Sequence, residues 1–398
     1  MDLLITPQKL AGNISVIPSK SQAHRLLICA AFADHPTVLL CSDTNRDIEA
    51  TAACLNALGA DIRRTESGYE IHPAKMIPPA AVLPCKDSGS TLRFLLPVVG
   101  ALGVEATFQM EGRLSQRPLS PLWEEMERMG CQLAFTDSNS LQCKGRLRSG
   151  EYRIGGSVSS QFISGLLFAA ALIPGETKII VTGKMESKPY IDMTRNAMEI
   201  FGRSSRDFTV LGGVPYVSPA KCIVEGDWSN GAFFLAANAL GSRLTIANLS
   251  ETSLQGDKAA ADLLVKLQEH CEISAADIPD LVPILSVVAA CNQGAVFTNI
   301  QRLRLKESDR VQSVIAMLQS LGGKAEATET TLTVYGTGLT GGCVDCVNDH
   351  RIAMSAAIAA TVCTDPVIIS GAECVEKSYP RFWEEYRRLG GNYEQYIR

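Results

Sequence analysis

The chain has 398 residues, 46% of them hydrophobic and 20% charged, with a formal net charge of -5 and a pI near 5.7. That length allows a large core and two or three domains, while the acidic balance argues against a broad nucleic-acid footprint, which needs a basic face. The apolar run "LLFAAALI" (166–173) falls far short of the roughly 20 residues of a membrane span, and thirteen irregularly spaced cysteines read as reduced thiols in a reducing compartment.

No basic region followed by an apolar core and a cleavage site opens the chain, so no secretory signal is read and a cytoplasmic protein is expected. Cys343 and Cys346 form one CxxC, but no second pair stands at zinc-binding spacing, and no metal is expected.

Two classes of predicted helix alternate along the chain. "SKSQAHRLLICAAFA" (19) opens with small polar residues and becomes an apolar helix; "DIEATAACLNALGA" (47) follows as an amphipathic helix that stops at glycine. The pair returns as "DSGSTLRFLLPVVGAL" (87) with "SPLWEEMERMG" (120), then "SVSSQFISGLLFAAAL" (157) with "IDMTRNAMEIFG" (191). Beyond these come "GDWSNGAFFLAANAL" (226) with "GDKAAADLLVKLQEH" (256), "IPDLVPILSVVAAC" (278) with "DRVQSVIAMLQSLGG" (309), and "NDHRIAMSAAIAATV" (348) with "RFWEEYRRLGG" (381). The glycines fit left-handed helix C-caps, and β-branched runs such as "TKIIVTG" and "CIVEG" supply strands. The expected fold is α/β: six copies of a strand, helix, strand, helix, strands unit, with the first helices buried and the second half-exposed. Three units form one domain over 19–225; three form another over 226–398, joined by residues 1–18.

The stretch "RLRLKESDR" (302–310) has two readings. It is a solvated strand end running into a helix with Ser308 as N-cap, or it is one of a set of loops at helix starts that collect charge for a purpose. Lys20, Arg25, Arg93, Arg117, Arg310, Arg351 and Lys377 all lie at such positions in a chain that is acidic overall. Helix N-termini attract anions through free N–H groups and the dipole. The cations therefore point to a small polyanionic substrate bearing phosphate and carboxylate. Ser159, Ser160 and Gln161 suit a phosphate cradle at a helix start. Among the acids, Asp280 and Glu307 are candidates for proton transfer; Asp349 and Asp309 are equally explained by ion pairing or capping.

The motifs "SKSQAHR", "DSGSTLR", "GSVSSQF", "SKPYID", "IPD", "LKESDR", "NDHRIAM" and "EKSYP", in this order across nearly the whole chain, resemble the EPSP synthase family. The resemblance implies a two-domain inside-out α/β fold of six repeated units, with the active site in the interdomain cleft. It also implies transfer of enolpyruvyl from phosphoenolpyruvate to the 5-hydroxyl of shikimate 3-phosphate, with release of phosphate. Carried onto this chain, Lys20, Ser21, Arg25, Ser159, Ser160, Gln161, Ser187, Tyr190, Asp280 and Lys306 match the shikimate 3-phosphate pocket. Lys20, Gly89, Arg93, Arg117, Gln161, Arg310, His350, Arg351 and Lys377 match the phosphoenolpyruvate side. Asp280 takes the place of the base at the attacked hydroxyl, Glu307 of the acid or base at the methylene, and Lys20 of their assistant. No cofactor is implied, and a monomer is expected. Within the pattern, His24 stands where the first motif commonly carries an amide, and "DSGSTLRF" stands for "NAGTAMRP".

Two rivals remain open. UDP-N-acetylglucosamine enolpyruvyl transferase shares fold and donor, but usually has a cysteine in the loop where this chain reads "EGRLSQRPL". A clamp-like nucleic-acid-binding protein would need a basic inner surface.

Overall fold

The computed structural model describes residues 1–396. The chain divides into two compact units, Pro18–Glu225 and a second made of Met1–Ile17 with Gly226–Arg398.

In the first unit the helices Lys20–Ala31, Gly89–Leu102 and Ser160–Leu172 form the interior. "SQFISGLLFAAAL" is apolar nearly all round, and such a helix is stable only when surrounded; from Phe162 to Ala171 every residue is buried. Gly165 lets it come close to Gly89–Leu102, since a Cβ there would lie 2.3 Å from the Arg93 carbonyl oxygen. Pro97, four residues after Arg93, has no N–H to offer that carbonyl, which leaves this spot on the helix open to the approach. The amphipathic helices Arg46–Ala57, Leu122–Arg128 and Lys188–Ile200 bury one face only. Lys188–Ile200, for example, buries Ile191, Met193, Thr194, Ala197 and Met198, a helical spacing.

The second unit repeats the scheme with Trp228–Ala239, Val282–Cys291 and His350–Ala360 inside, the last buried at all eleven positions. Its amphipathic helices are Ala260–Lys266, Arg310–Ser320 and Phe382–Arg388. Five of the six amphipathic helices in the two units are followed by a glycine at positive φ: Gly59, Gly130, Gly202, Gly322 and Gly390.

Among the described residues there are six sheets, three in each unit. Four of them share one order of pairing: a parallel pair, then two antiparallel neighbours. Ala80–Lys86 pairs in parallel with Glu105–Met110, which is followed by Ser140–Gly145 and Cys131–Asp137, both antiparallel. The same order relates Lys221–Ile223, Thr37–Leu40, Gly68–His72 and Asp61–Thr65, and again Cys271–Ser274, Ala295–Thr298, Thr331–Tyr335 and Lys324–Ala327. In the fourth, Gly342–Asp345 and Val367–Ser370 are completed by Asp2–Thr6 and Asn392–Gln395. The N-terminal residues thus supply two strands to the second unit, since Ala11–Ser15 also pairs with Arg243–Ala247. Alternating burial along Thr331–Tyr335 shows the consequence: each sheet turns one face to the helices and the other to water. The helices are innermost and the sheets outermost, an inside-out α/β arrangement.

The region 302–310 departs from the expected strand end. Gln301–Leu305 is a short 3-10 helix, and the N-cap of Arg310–Ser320 is Asp309, whose carboxylate accepts from the N–H groups of Val311 and Gln312. Ser308 is not the cap; it is buried and donates to Asp349 at 3.0 Å. A carboxylate is the stronger acceptor at the positive end of a helix.

Candidate active site

The expected residues gather in two clusters, one in each unit. In Pro18–Glu225 the helix starts do the gathering. Ser19, Ser88 and Ser159 each accept a backbone N–H at the start of an interior helix. Such caps, worth about 1 kcal/mol each, fix where Lys20, Gly89 and Ser160 stand. Lys20 pairs with the buried Asp47 at 2.9 Å. Arg93 donates to the Gln161 amide oxygen at 3.0 Å and to the Pro118 carbonyl at 3.1 Å, and the Gln161 amide nitrogen donates to Ser90 at 2.9 Å. Gly89 lies under the Arg117 guanidinium: a Cβ there would be 2.7 Å from Arg117 Nη1 and 3.3 Å from Arg93 Nη1. Gly89, Arg93, Arg117 and Gln161 are therefore one constellation.

Arg25 does a second job. It is buried, and its N–H groups reach Thr194 at 2.8 Å, the Ser21 carbonyl at 2.5 Å and the Tyr190 carbonyl at 2.8 Å, with the guanidinium over the Phe94 ring. It thereby ties the Lys20 helix to the start of Lys188–Ile200, where Ser187 sits buried in a left-handed conformation at φ 53°. Burial draws the Arg25 guanidinium down to about 10.

The second cluster centres on Arg310, whose side chain is 1% exposed. It donates to Asp280 at 2.5 Å, Glu307 at 2.6 Å and Asp349 at 2.8 Å. Asp280 also faces Lys306 at 3.3 Å and Arg351 at 3.2 Å. Asp349 caps His350–Ala360 by accepting from the Arg351 N–H at 3.0 Å, which sets His350 and Arg351 in the first turn. Lys377, buried, ends the 3-10 helix Ala372–Lys377 that packs on the same helix.

Burial works to raise the Asp280 carboxyl, but Arg351, Lys306 and Arg310 outweigh it and hold it well below the ordinary carboxylate range. Burial draws Lys306 down to about 8, with Asp280 opposing. Asp280 is thus a weak base while the three cations are committed to it. A bound anion that drew them away would raise its basicity.

Two acids were not singled out as site residues from sequence. Asp47 lies in the first turn of its helix, where macrodipole complementation alone accounts for it. Asp257, fully buried, accepts from Ser229 and is pushed up to about 6 by burial and by the neighbouring Asp280 charge. Its "QGDK" setting carries no local signal of that proximity.

The family model described as EPSP synthase (3-phosphoshikimate 1-carboxyvinyltransferase) matches residues 4–386. A 3-phosphoshikimate 1-carboxyvinyltransferase of Clostridium kluyveri is 38% identical over 419 aligned residues, 98% of each chain. That of Clostridium perfringens is 38% identical over 417, again 98% of each. Among solved structures, the EPSP synthase from Acinetobacter baumannii matches with a TM-score of 0.80 at 23% identity over 99% of each chain. The enolpyruvyl transferase NikO from Streptomyces tendae matches at 0.78 and 16%, over 99% of this chain and 98% of that one. These two matches bear on the fold alone. With a family model spanning nearly the whole chain and relatives at 38% identity along its full length, the chain belongs to the EPSP synthase family.

Proposed function

We propose that this chain acts as its family name states, transferring the enolpyruvyl group of phosphoenolpyruvate to the 5-hydroxyl of shikimate 3-phosphate and releasing phosphate. The observation that carries the reading is the Asp280 carboxylate gripped by Lys306, Arg310 and Arg351, with Glu307 on the same arginine. Two substrates carrying about -1.5 to -2 on each phosphate plus carboxylates repel each other unless cations surround them. The cation-rich cluster of the first unit and the cations around Asp280 supply that neutralisation, and the reaction draws on both. In the addition step, the acceptor hydroxyl attacks C2 of the enolpyruvyl group, Asp280 takes the hydroxyl proton, and Glu307, assisted by Lys20, delivers a proton to the methylene. Elimination returns the proton from the methyl carbon to Glu307 as the C–O bond to phosphate breaks, and the hydroxyl proton held by Asp280 leaves with the phosphate, which restores both carboxyl groups. Exclusion of water strengthens each of these contacts.

Binding is divided as the motifs divide it. Lys20, Ser21, Arg25, Ser159, Ser160, Gln161, Ser187, Tyr190, Asp280 and Lys306 serve shikimate 3-phosphate; Lys20, Gly89, Arg93, Arg117, Gln161, Arg310, His350, Arg351 and Lys377 serve phosphoenolpyruvate. The protein works as a cytoplasmic monomer on two small molecules, with no nucleic-acid or membrane partner and no cofactor. Asp280→Ala tests the mechanism: turnover should fall by about 100-fold or more while the protein stays folded. Unchanged turnover would remove Asp280 from proton transfer.

A further inference from the structure

His24 is buried on the Lys20–Ala31 helix, one turn beyond Lys20. A chain of hydroxyls leads away from it. His24 Nδ1 lies 2.7 Å from Thr51 Oγ1, Thr51 Oγ1 lies 2.7 Å from Thr91 Oγ1, and the Thr91 hydroxyl donates to Ser88 Oγ at 2.8 Å. Each hydroxyl has one proton to give. Since Thr91 gives its own to Ser88, Thr51 must give its own to Thr91, and Thr51 is left to accept from His24. The chain therefore fixes the tautomer: Nδ1 carries the proton and Nε2 is bare, and Nε2 is buried with no hydrogen-bond partner. Protonating it would put a charge where water cannot follow. Burial accordingly draws the imidazole down to about 3, with Asp47, Lys20 and Arg25 the charged groups around it.

The chain joins the turns that carry the first cluster. Thr51 lies one turn beyond Asp47, the partner of Lys20. Ser88 caps the helix that begins at Gly89 and also accepts the Thr91 N–H. We infer that His24, as the neutral Nδ1–H tautomer, is a positioning residue that fixes Lys20 and the Gly89 turn relative to each other through Thr51, Thr91 and Ser88. What those residues then do rests on the functional reading above; the positioning itself does not.

The test is 15N NMR of histidine-labelled protein without substrate, the His24 signals being identified by their loss in His24→Asn. A protonated Nδ1 and bare Nε2 that do not titrate between about pH 5 and 9 are expected. The opposite tautomer, or titration near 6.5, overturns the inference. His24→Leu removes the donor, whereas His24→Asn places an amide N–H near Nδ1. Backbone amide shifts of Lys20, Asp47 and Gly89 should move in His24→Leu and return toward wild type in His24→Asn. In kinetics, His24→Leu should raise the KM for phosphoenolpyruvate about tenfold or more with a smaller change in kcat, as small misplacements do, and His24→Asn should recover most of it. A loss of thermal stability with unmoved amide shifts and unchanged KM would make His24 a packing residue and sink the proposal. Wild-type protein without transfer activity would instead count against the functional reading, and the tautomer and amide shifts would still decide the role of His24.

Discussion

Replacing Arg310 by methionine removes the hub of the second cluster while keeping much of its volume. Three charge-assisted hydrogen bonds at about 1.5–3 kcal/mol each would sum to about 5–9 kcal/mol if all three acids were left bare. They are not. Asp280 keeps Lys306 at 3.3 Å and Arg351 at 3.2 Å, and Asp349 keeps the Ser308 hydroxyl and the Arg351 N–H, each at 3.0 Å. The lower figure for breaking a buried pair, about 3–5 kcal/mol, is therefore expected. Against a typical total of about 5–15 kcal/mol, the variant should fold but unfold earlier in urea. Tryptophan fluorescence is a suitable probe, because Trp228 and Trp383 both lie in the unit that carries Arg310. The sign with pH is fixed as well. The Asp280 carboxyl is depressed in the folded state, so the stability from its pairing is present above the ordinary carboxylate value and is lost as pH falls through the lowered one. The deficit of Arg310→Met should shrink below about pH 4. A deficit under about 1 kcal/mol at pH 7, or one indifferent to acid, would refute the view that these charges are mutually dependent.

Gly89→Ala would press a methyl group onto the Arg117 guanidinium, the end of a flexible side chain. Stability should change by about 1 kcal/mol or less, while the KM for phosphoenolpyruvate rises about tenfold; an unchanged KM would detach Arg117 from that substrate. Asp257 is raised from 3.8 to about 6 in the folded state, mainly by burial, so its contribution is fully present below about pH 3.8 and lost as pH rises through about 6. That span corresponds to roughly 3 kcal/mol. Asp257→Asn should therefore gain stability relative to wild type by about that amount between pH 4 and 7 in calorimetry or urea titrations, and parallel pH profiles would contradict it.

The order of helices was readable because each class carries its own pattern. Continuous apolarity marks the buried helices, and a helical stripe ending in glycine marks the others. The strands of 392–395 and 11–15 carry little such signal; their place depends on distant partners, Leu3 facing Gln395 and Ile14 facing Ile246. At the site, cations at helix starts were legible as a class, because a basic residue beside an N-terminus is unfavourable unless something anionic is to be met. What the sequence did not show was pairing. Asp47 opposite Lys20, Ser308 on Asp349, and Arg310 as the shared partner of Asp280 and Asp349 are contacts between turns or helices with no fixed spacing along the chain, whereas Glu307, three residues before Arg310, is a local partner. The capping error has the same root: Ser308 and Asp309 are both good caps, and the buried Asp349 that claims Ser308 is 41 residues away.

The most direct test of the account is phosphate release from phosphoenolpyruvate, with shikimate 3-phosphate or UDP-N-acetylglucosamine as acceptor, in buffer containing a chelator. Release should require shikimate 3-phosphate and survive the chelator. Release only with the nucleotide sugar, or with neither acceptor, would contradict it.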